Sequence, residues 1–207
     1  MKGIYLILNP ASPRLLAGLA AVLETGTIGL VQIWDHWPEG LGKAGLVSEI
    51  LALCRSKGVP VLANNDVKLL EEFALDGVHL DHLPGEPLVS FRKKLPPKAI
   101  IGLTLGNDLS ALTGAEAHQL DYVSFCSVFP SGSAGVCEIV SRETISKARS
   151  FTELPIFLAG GINATTISSL RGLAFDGVAV VSGIMGSENP AAEALTIYGG
   201  LGVRREA

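Results

Sequence analysis

Short runs of aliphatic and β-branched residues recur along the chain at residues 4–8, 28–33, 60–63, 77–80, 99–103, 121–125, 155–158 and 177–181. Runs of this length, bounded by turn-forming residues, predict buried β-strands. Between them lie stretches with helical mixing of apolar and polar residues, at 13–25, 41–57, 67–74, 87–94, 108–118, 141–150, 164–172 and 190–199. Eight strand–helix units in a chain of this length predict an α/β protein whose parallel sheet closes into a (β/α)8 TIM barrel. A doubly wound open sheet is the alternative, because patterning does not show closure. Two junctions echo each other: FALDGVHL at 73–80 and LAFDGVAV at 173–180 both pass through Asp-Gly into a buried strand. Asp76 and Asp176 therefore read as turn and helix-end residues, not as acids or bases.

The composition narrows this picture. With 207 residues, 48% of them hydrophobic, the chain can bury one large core, and no low-complexity linker divides it, so residues 1–207 are expected to form a single domain. Aromatics are only 6% and glycines number 24, which suits a helix-covered parallel sheet better than a sandwich. The net charge of -4, without a basic stripe, argues against nucleic acid as a partner. The apolar run GIYLIL stops at Asn9-Pro10, too short for a signal peptide or a membrane span, so a cytoplasmic protein without membrane contact is expected. Cys54, Cys126 and Cys137 lack CxxC or zinc-finger spacing and read as free thiols. The run RKK at 92–94 reads as a solvated helix face, and Tyr122 and Phe129 read as packing residues.

In a barrel of this kind chemistry gathers where strands end and helices begin. The stretch VQIWDH at 31–36 then sends its last residues to that rim, where Gln32, Trp34 and His36 join Asn64, Thr104, Ser131 and Ser133. The strongest local signal is FLAGGIN at 157–163 beside VAVVSGI at 178–184. Glycines at a strand end let backbone N–H groups approach an anion, and two adjacent strand ends of this kind match the phosphate site after strands 7 and 8. Gly160, Gly161, Val181 and Ser182 are the candidate phosphate binders. Trp34 could stack a flat heterocycle, while Trp37, just before Pro38, reads as a cap on the barrel mouth.

Over nearly its whole length, and in order, the chain resembles the thiamine phosphate synthases and their thiazole tautomerase relatives. The likeness rests on VQ in the second strand, GVPVLANN near the third, DGVHL, IIGLT, DYVSFCSVFPS, AGGIN and DGVAVVSGI. It implies a (β/α)8 barrel that brings a thiazole phosphate to a hydroxymethylpyrimidine, the phosphate lying on the Gly160-Gly161 and Val181-Ser182 backbone. In a synthase a diphosphate leaves the pyrimidine methylene and the thiazole nitrogen captures the carbocation-like centre, with cations and Mg2+ stabilising the leaving group.

The resemblance also exposes departures. The family's Gln-x-Arg-Glu-Lys is here Gln32-Ile33-Trp34-Asp35-His36, and its strand 6 Thr-Pro-Thr-Lys aligns with Ser131-Gly132-Ser133-Ala134. Its Asn-Asp aligns with Asn64-Asn65 or, shifted by one, with Asn65-Asp66, and its next metal carboxylate is matched by Asp81 alone. The tautomerases carry a histidine where this chain has Ser127. The expectation is therefore a relative that binds a thiazole phosphate or thiamine phosphate with reduced, changed or absent synthase activity. Catalytic candidates are His36, Asn64, Ser131 and Ser133; ligand candidates are Gln32, Trp34, Thr104, Gly160, Gly161, Val181 and Ser182; Asp81 is a weak metal candidate, for Mg2+ if the chain is a synthase. The expected partner is a phosphorylated small molecule, with a homodimer as the one assembly considered. A non-catalytic binding or regulatory relative is one alternative. Another is a metal-dependent sugar-phosphate epimerase built on Asp35, His36, His79, Asp81 and His82.

Overall fold

The computed structural model describes residues 2–113, 117–132 and 138–201. Eight parallel strands, β1 (Gly3–Leu8), β2 (Ile28–Ile33), β3 (Val61–Asn64), β4 (Gly77–Leu80), β5 (Ile100–Leu105), β6 (Tyr122–Cys126), β7 (Ile156–Ala159) and β8 (Gly177–Val180), hydrogen-bond in sequence order and close into a barrel. Each coincides with a predicted strand to within two residues at either end. Closure is made by β1 pairing with β8, Gly3 to Gly177 through Leu6 to Val180. The open-sheet alternative is thereby excluded.

Alternation along each strand divides its side chains between two cores. Ile4, Leu6, Leu8, Val31, Ile33, Val78, Ile101, Leu103, Val123, Phe125, Leu158 and Val180 belong to the large outer cluster beneath the helices. Their neighbours Tyr5, Leu30, Leu62, Tyr122, Phe157, Ala159 and Ala179 form a separate cluster inside the barrel. Gly102 in β5 is part of this interior design: a Cβ there would lie 2.0 Å from Cζ of Tyr122. The bulk of the tyrosine needs a strand without a side chain beside it.

The helical layer is α1 (Leu15–Leu23), α2 (Lys43–Arg55), α3 (Val67–Phe73), α4 (Leu88–Lys94), α5 (Arg142–Phe151), α6 (Ser182–Met185) and α7 (Pro190–Gly200). Two predicted helices are not formed among the described residues. Within 108–118 the described residues carry only 3-10 turns, at Ser110–Leu112 and from Ala117 on, and 164–172 holds only Ile167–Leu170. Side chains compete with the helix at both places. Asp108 accepts from the Ser110 N–H and hydroxyl, and Asn163 Oδ1 accepts from Thr165 and Thr166 N–H.

The echoed Asp-Gly junctions have a more definite role than a turn. Asp76, Asp121 and Asp176, each just before an even-numbered strand, donate N–H to Val61, Ile101 and Ile156 carbonyls at 2.8 Å. Each carboxylate then accepts the N–H of that same residue, at 2.8, 2.8 and 3.0 Å. Two of these latches also hold an arginine: Arg149 bonds Asp176 at 2.7 Å, and Arg92 bonds Asp121. Arg92 therefore departs from the solvated face expected for RKK; it is drawn into the barrel base by Asp121 and the Gln119 and Ala99 carbonyls. Replacing Asp176 with Ala should orphan the Ile156 N–H and Arg149 together and lower unfolding free energy by roughly 1–3 kcal/mol, measured by urea titration.

Candidate functional site

At the C-terminal end of the strands most inward positions carry polar or small side chains, with Ile7 and Trp34 as the large exceptions. Ile7, Gln32, Trp34, Asn64, His79, Asp81, Thr104, Ser124, Cys126, Ala159, Gly161, Ala179 and Val181 continue the interior alternation and line a cavity of about 620 Å³. Loops after β6, β7 and β8 add Phe129, Pro130, Ser131, Gly160, Asn163, Thr166, Ser182 and Gly183. Phe129, read as packing, thus also forms part of the wall.

The cavity floor is a chain of hydrogen bonds between strands distant in sequence. Tyr5 donates to Gln32 Oε1, and Tyr122 donates to the Tyr5 hydroxyl at 3.0 Å. His79 Nδ1 lies 2.8 Å from the Tyr122 hydroxyl, and His79 Nε2 lies 2.8 Å from Thr104 Oγ1, which meets Ser124 Oγ at 3.2 Å. Because Tyr122 spends its proton on Tyr5, it can only accept from His79, which sets the Nδ1–H tautomer and leaves Nε2 to accept from Thr104. Burial pushes the His79 imidazole down to about 4, against a smaller upward pull from Asp81. Burial also raises both tyrosines, so the whole chain is neutral.

Beside it lies a cluster of acids and amides. Asn65 Nδ2 donates to Asp81 at 2.7 Å and to Asp35 at 3.2 Å, and Asn64 Nδ2 donates to Asp81 at 3.2 Å. Asn65 adopts a positive φ of 53°, a conformation that asparagine tolerates better than most residues, and its Oδ1 accepts from the Asp81 N–H. Asn64 is 1% exposed and its Oδ1 has no partner. Asp66 is turned to other work: it caps α3 by accepting from Leu69 N–H and faces Lys43 at 3.7 Å. The alignment that pairs Asn65-Asp66 with a metal site therefore puts no carboxylate in the cavity.

Opposite, the β7 end supplies the glycine turn. Gly160 and Gly161 have φ of 90° and 65°; a Cβ on the first would lie 1.7 Å from Ser127 Oγ and on the second 2.5 Å from the Pro130 carbonyl. Both positions require glycine. Thr166 Oγ1 donates to the Gly161 carbonyl at 2.9 Å, fixing that peptide and sending the Ile162 N–H the other way. At the β8 end, the Ile184 N–H donates to the Val181 carbonyl at 3.3 Å as α6 begins, one residue after Gly183.

Ten of the predicted site residues meet at this cavity: Gln32, Trp34, Asn64, Asp81, Thr104, Ser131, Gly160, Gly161, Val181 and Ser182. His36 does not line it. Its side chain is 62% exposed, 3.3 Å from Asp35 and with its ring 4.0 Å from that of Trp34. Ser133 lies outside the described residues, as does Cys137. Trp37 packs on the outer core with Lys43 Nζ 5.1 Å from its ring centre. Cys54 is buried and its thiol pushed up to about 12, chiefly by burial, which keeps it protonated. No lysine or arginine is among the described residues lining the cavity.

The His/Asp metal cluster considered for an epimerase is not assembled: no group of three or more metal-ligating His, Cys, Asp or Glu occurs among the described residues. The physical reason is His79, both of whose nitrogens are already engaged. No helix among the described residues is long and apolar enough to cross a membrane.

A family model described as thiamine monophosphate synthase matches residues 4–184. The chain belongs to the thiamine monophosphate synthase family. The thiamine-phosphate synthase of Halorhodospira halophila is 32% identical over 194 residues, spanning 94% of this chain and 91% of that protein. That of Methylococcus capsulatus is 31% identical over 199 residues, spanning 92% and 85%. The thiamine phosphate pyrophosphorylase of Pyrococcus furiosus shares the fold with a TM-score of 0.77, at 21% identity and 96% coverage of both chains.

Within this family framework, the Tyr5–Tyr122–His79 chain is what sequence reasoning missed. Tyr122 reads as packing because its hydroxyl finds a partner only when closure brings β1, β4 and β6 face to face. The signal available in the sequence was polarity at inward strand positions, His79 and Ser124 among them.

His79 also carries a pH dependence. Unfolded, its imidazole titrates near 6.5; folded, near 4. Its contribution to stability is therefore complete above pH 6.5 and falls away as pH drops from 6.5 to 4, by roughly 3 kcal/mol in all. In urea titrations the stability gap between wild type and His79→Gln should narrow by most of that amount between pH 7.5 and 4.5. A constant gap would mean an ordinary histidine.

Proposed function

We propose that this member of a thiamine-biosynthesis family binds a thiazole phosphate or thiamine phosphate at the C-terminal face of its barrel, with its joining chemistry weak or lost. One observation carries the reading: the positive-φ pair Gly160-Gly161, which we read as an anion cradle, opens into a cavity whose described lining holds no cationic side chain. A single phosphate can be held by backbone N–H groups, as glycine-rich strand ends commonly do. A departing diphosphate needs more positive charge than that, and removing even one electrostatic donor from a site of this kind costs on the order of 10²–10³ in rate.

The resemblance locates the difference. Trp34 and His36 occupy the strand 2 positions of the family's Arg and Lys, and Ala134 that of its strand 6 Lys. Trp34 offers a stacking face, while His36 lies outside the cavity lining and faces Asp35. Mg2+ takes oxygen ligands, and Asp81 with the unpartnered Asn64 Oδ1 are the residues that would hold such an ion. Such an ion, when bound, screens the leaving group. The chain's own residues then have to align the pyrimidine and the thiazole, and Gln32, Thr104, Ser131 and Ser133 are the polar groups assigned to that task.

The test supplies purified protein with hydroxymethylpyrimidine diphosphate, thiazole phosphate and Mg2+, alongside melting curves with each phosphorylated ligand. The expected result is thiamine phosphate formation close to the no-enzyme control together with a raised Tm. Steady turnover would restore an active synthase, and an unchanged Tm with every ligand would remove the binding reading.

A further inference from the structure

Behind the Phe129 wall lies a second, smaller cavity of about 240 Å³. Val128 and Phe129 line one side of it and Ile139 and Val140 another, with Leu170 from the short turn that stands where a helix is expected. Phe129 therefore separates the two cavities, lining both.

These residues belong to the two legs of the loop after β6. The outgoing leg is fixed to β7: Val128 and Phe129 donate N–H to the Ala159 and Gly160 carbonyls at 2.8 and 3.2 Å. The return leg is tied at its root, where the Val140 N–H meets the Ser127 carbonyl at 2.8 Å. Space is left open between the legs, so apolar contact alone does not set their spacing.

One side chain from a different loop supplies the missing constraint. Asn107, two residues past the end of β5, donates from Nδ2 to the Ile139 carbonyl at 3.1 Å. Its Oδ1 accepts from the Ser141 N–H at 3.2 Å and from the Thr144 hydroxyl at 3.0 Å. Ser141 in turn caps α5, its Oγ accepting the Thr144 N–H at 3.0 Å. A carboxamide meets a carbonyl with its donor and an N–H and a hydroxyl with its acceptor, which a carboxylate of the same shape cannot do.

We infer that Asn107 is a positioning residue for the ligand cavity: by holding the return leg in place, it keeps Phe129 and the neighbouring Ser131 in the cavity wall. This role is independent of the phosphate-binding reading above, since it concerns the shape of the wall, whatever the ligand. Without the three bonds the return leg no longer backs Phe129, whose ring turns toward the second cavity and opens the first.

The cavity carries its own reporter. Cys126 lines it, whereas Cys54 is fully buried in α2 and reports only global opening. Iodoacetamide labelling of the native protein, read cysteine by cysteine through peptide mass spectrometry, would compare wild type with Asn107→Ala, Asn107→Asp and Asp176→Ala. The aspartate keeps an acceptor for α5 and adds negative charge at its N-terminus, which favours the helix, but it turns an oxygen toward the Ile139 carbonyl where a donor stood. Both Asn107 variants should label Cys126 roughly fivefold faster, the weight of one net hydrogen bond in a local opening equilibrium, with Cys54 unchanged. Asp176→Ala, which loosens the opposite end of the barrel, should leave Cys126 at the wild-type rate. An unchanged Cys126 rate in Asn107→Ala would overturn the inference. So would a wild-type rate in Asn107→Asp, which would reduce Asn107 to a support for α5, or an equal acceleration in Asp176→Ala, which would reduce the effect to global stability.

Discussion

A closed ring of eight strands leaves an interior that side chains must fill, and in this protein the filling stops half way. Tyr5, Leu30, Leu62, Tyr122 and Phe157 pack the lower interior. Tyr122 fits only because Gly102 leaves room beside it. Above them most inward positions turn polar or small, and the space they do not occupy becomes the cavity. Fold and site are one pattern read at two heights along the same strands.

Closure also decides which polar groups meet. The tyrosine hydroxyls sit at the boundary between the filled and open halves, where burial demands partners for them. They find Gln32, His79 and each other, and the chain runs on through Thr104 to Ser124. This rigid neutral floor fixes the histidine tautomer and occupies both its nitrogens. The same demand remains unmet at Asn64 Oδ1, which marks the wall where a ligand has something to offer. At the barrel's other end three aspartates bind successive strands through paired backbone and carboxylate bonds, holding the register on which the alternation depends.

Much of this was legible in the sequence, because strand alternation and glycine geometry are local. The eight strands, the glycine turn at 160–161 and the rim positions of Gln32, Trp34 and Asn64 follow from short stretches read alone. The echo between residues 73–80 and 173–180 was visible, yet its carboxylate latches needed the neighbouring strand to be seen. Contacts between distant strands were not legible: the tyrosine–histidine floor exists only after closure. His36 was misplaced relative to the cavity for a similar reason. Alternation would send it inward with Trp34, but the strand ends at Ile33 and the chain turns, leaving the imidazole against Asp35 and solvent.

The central claim is that phosphate recognition persists on one wall while the opposite wall has exchanged cationic grip for an aromatic and acidic surface. A crystal structure of the protein soaked with thiamine phosphate tests it most directly. The account places the phosphate on the Gly160-Gly161 and Val181-Ser182 backbone and the ligand's ring against Trp34. A phosphate held instead by lysine or arginine side chains drawn in from outside the cavity would contradict it.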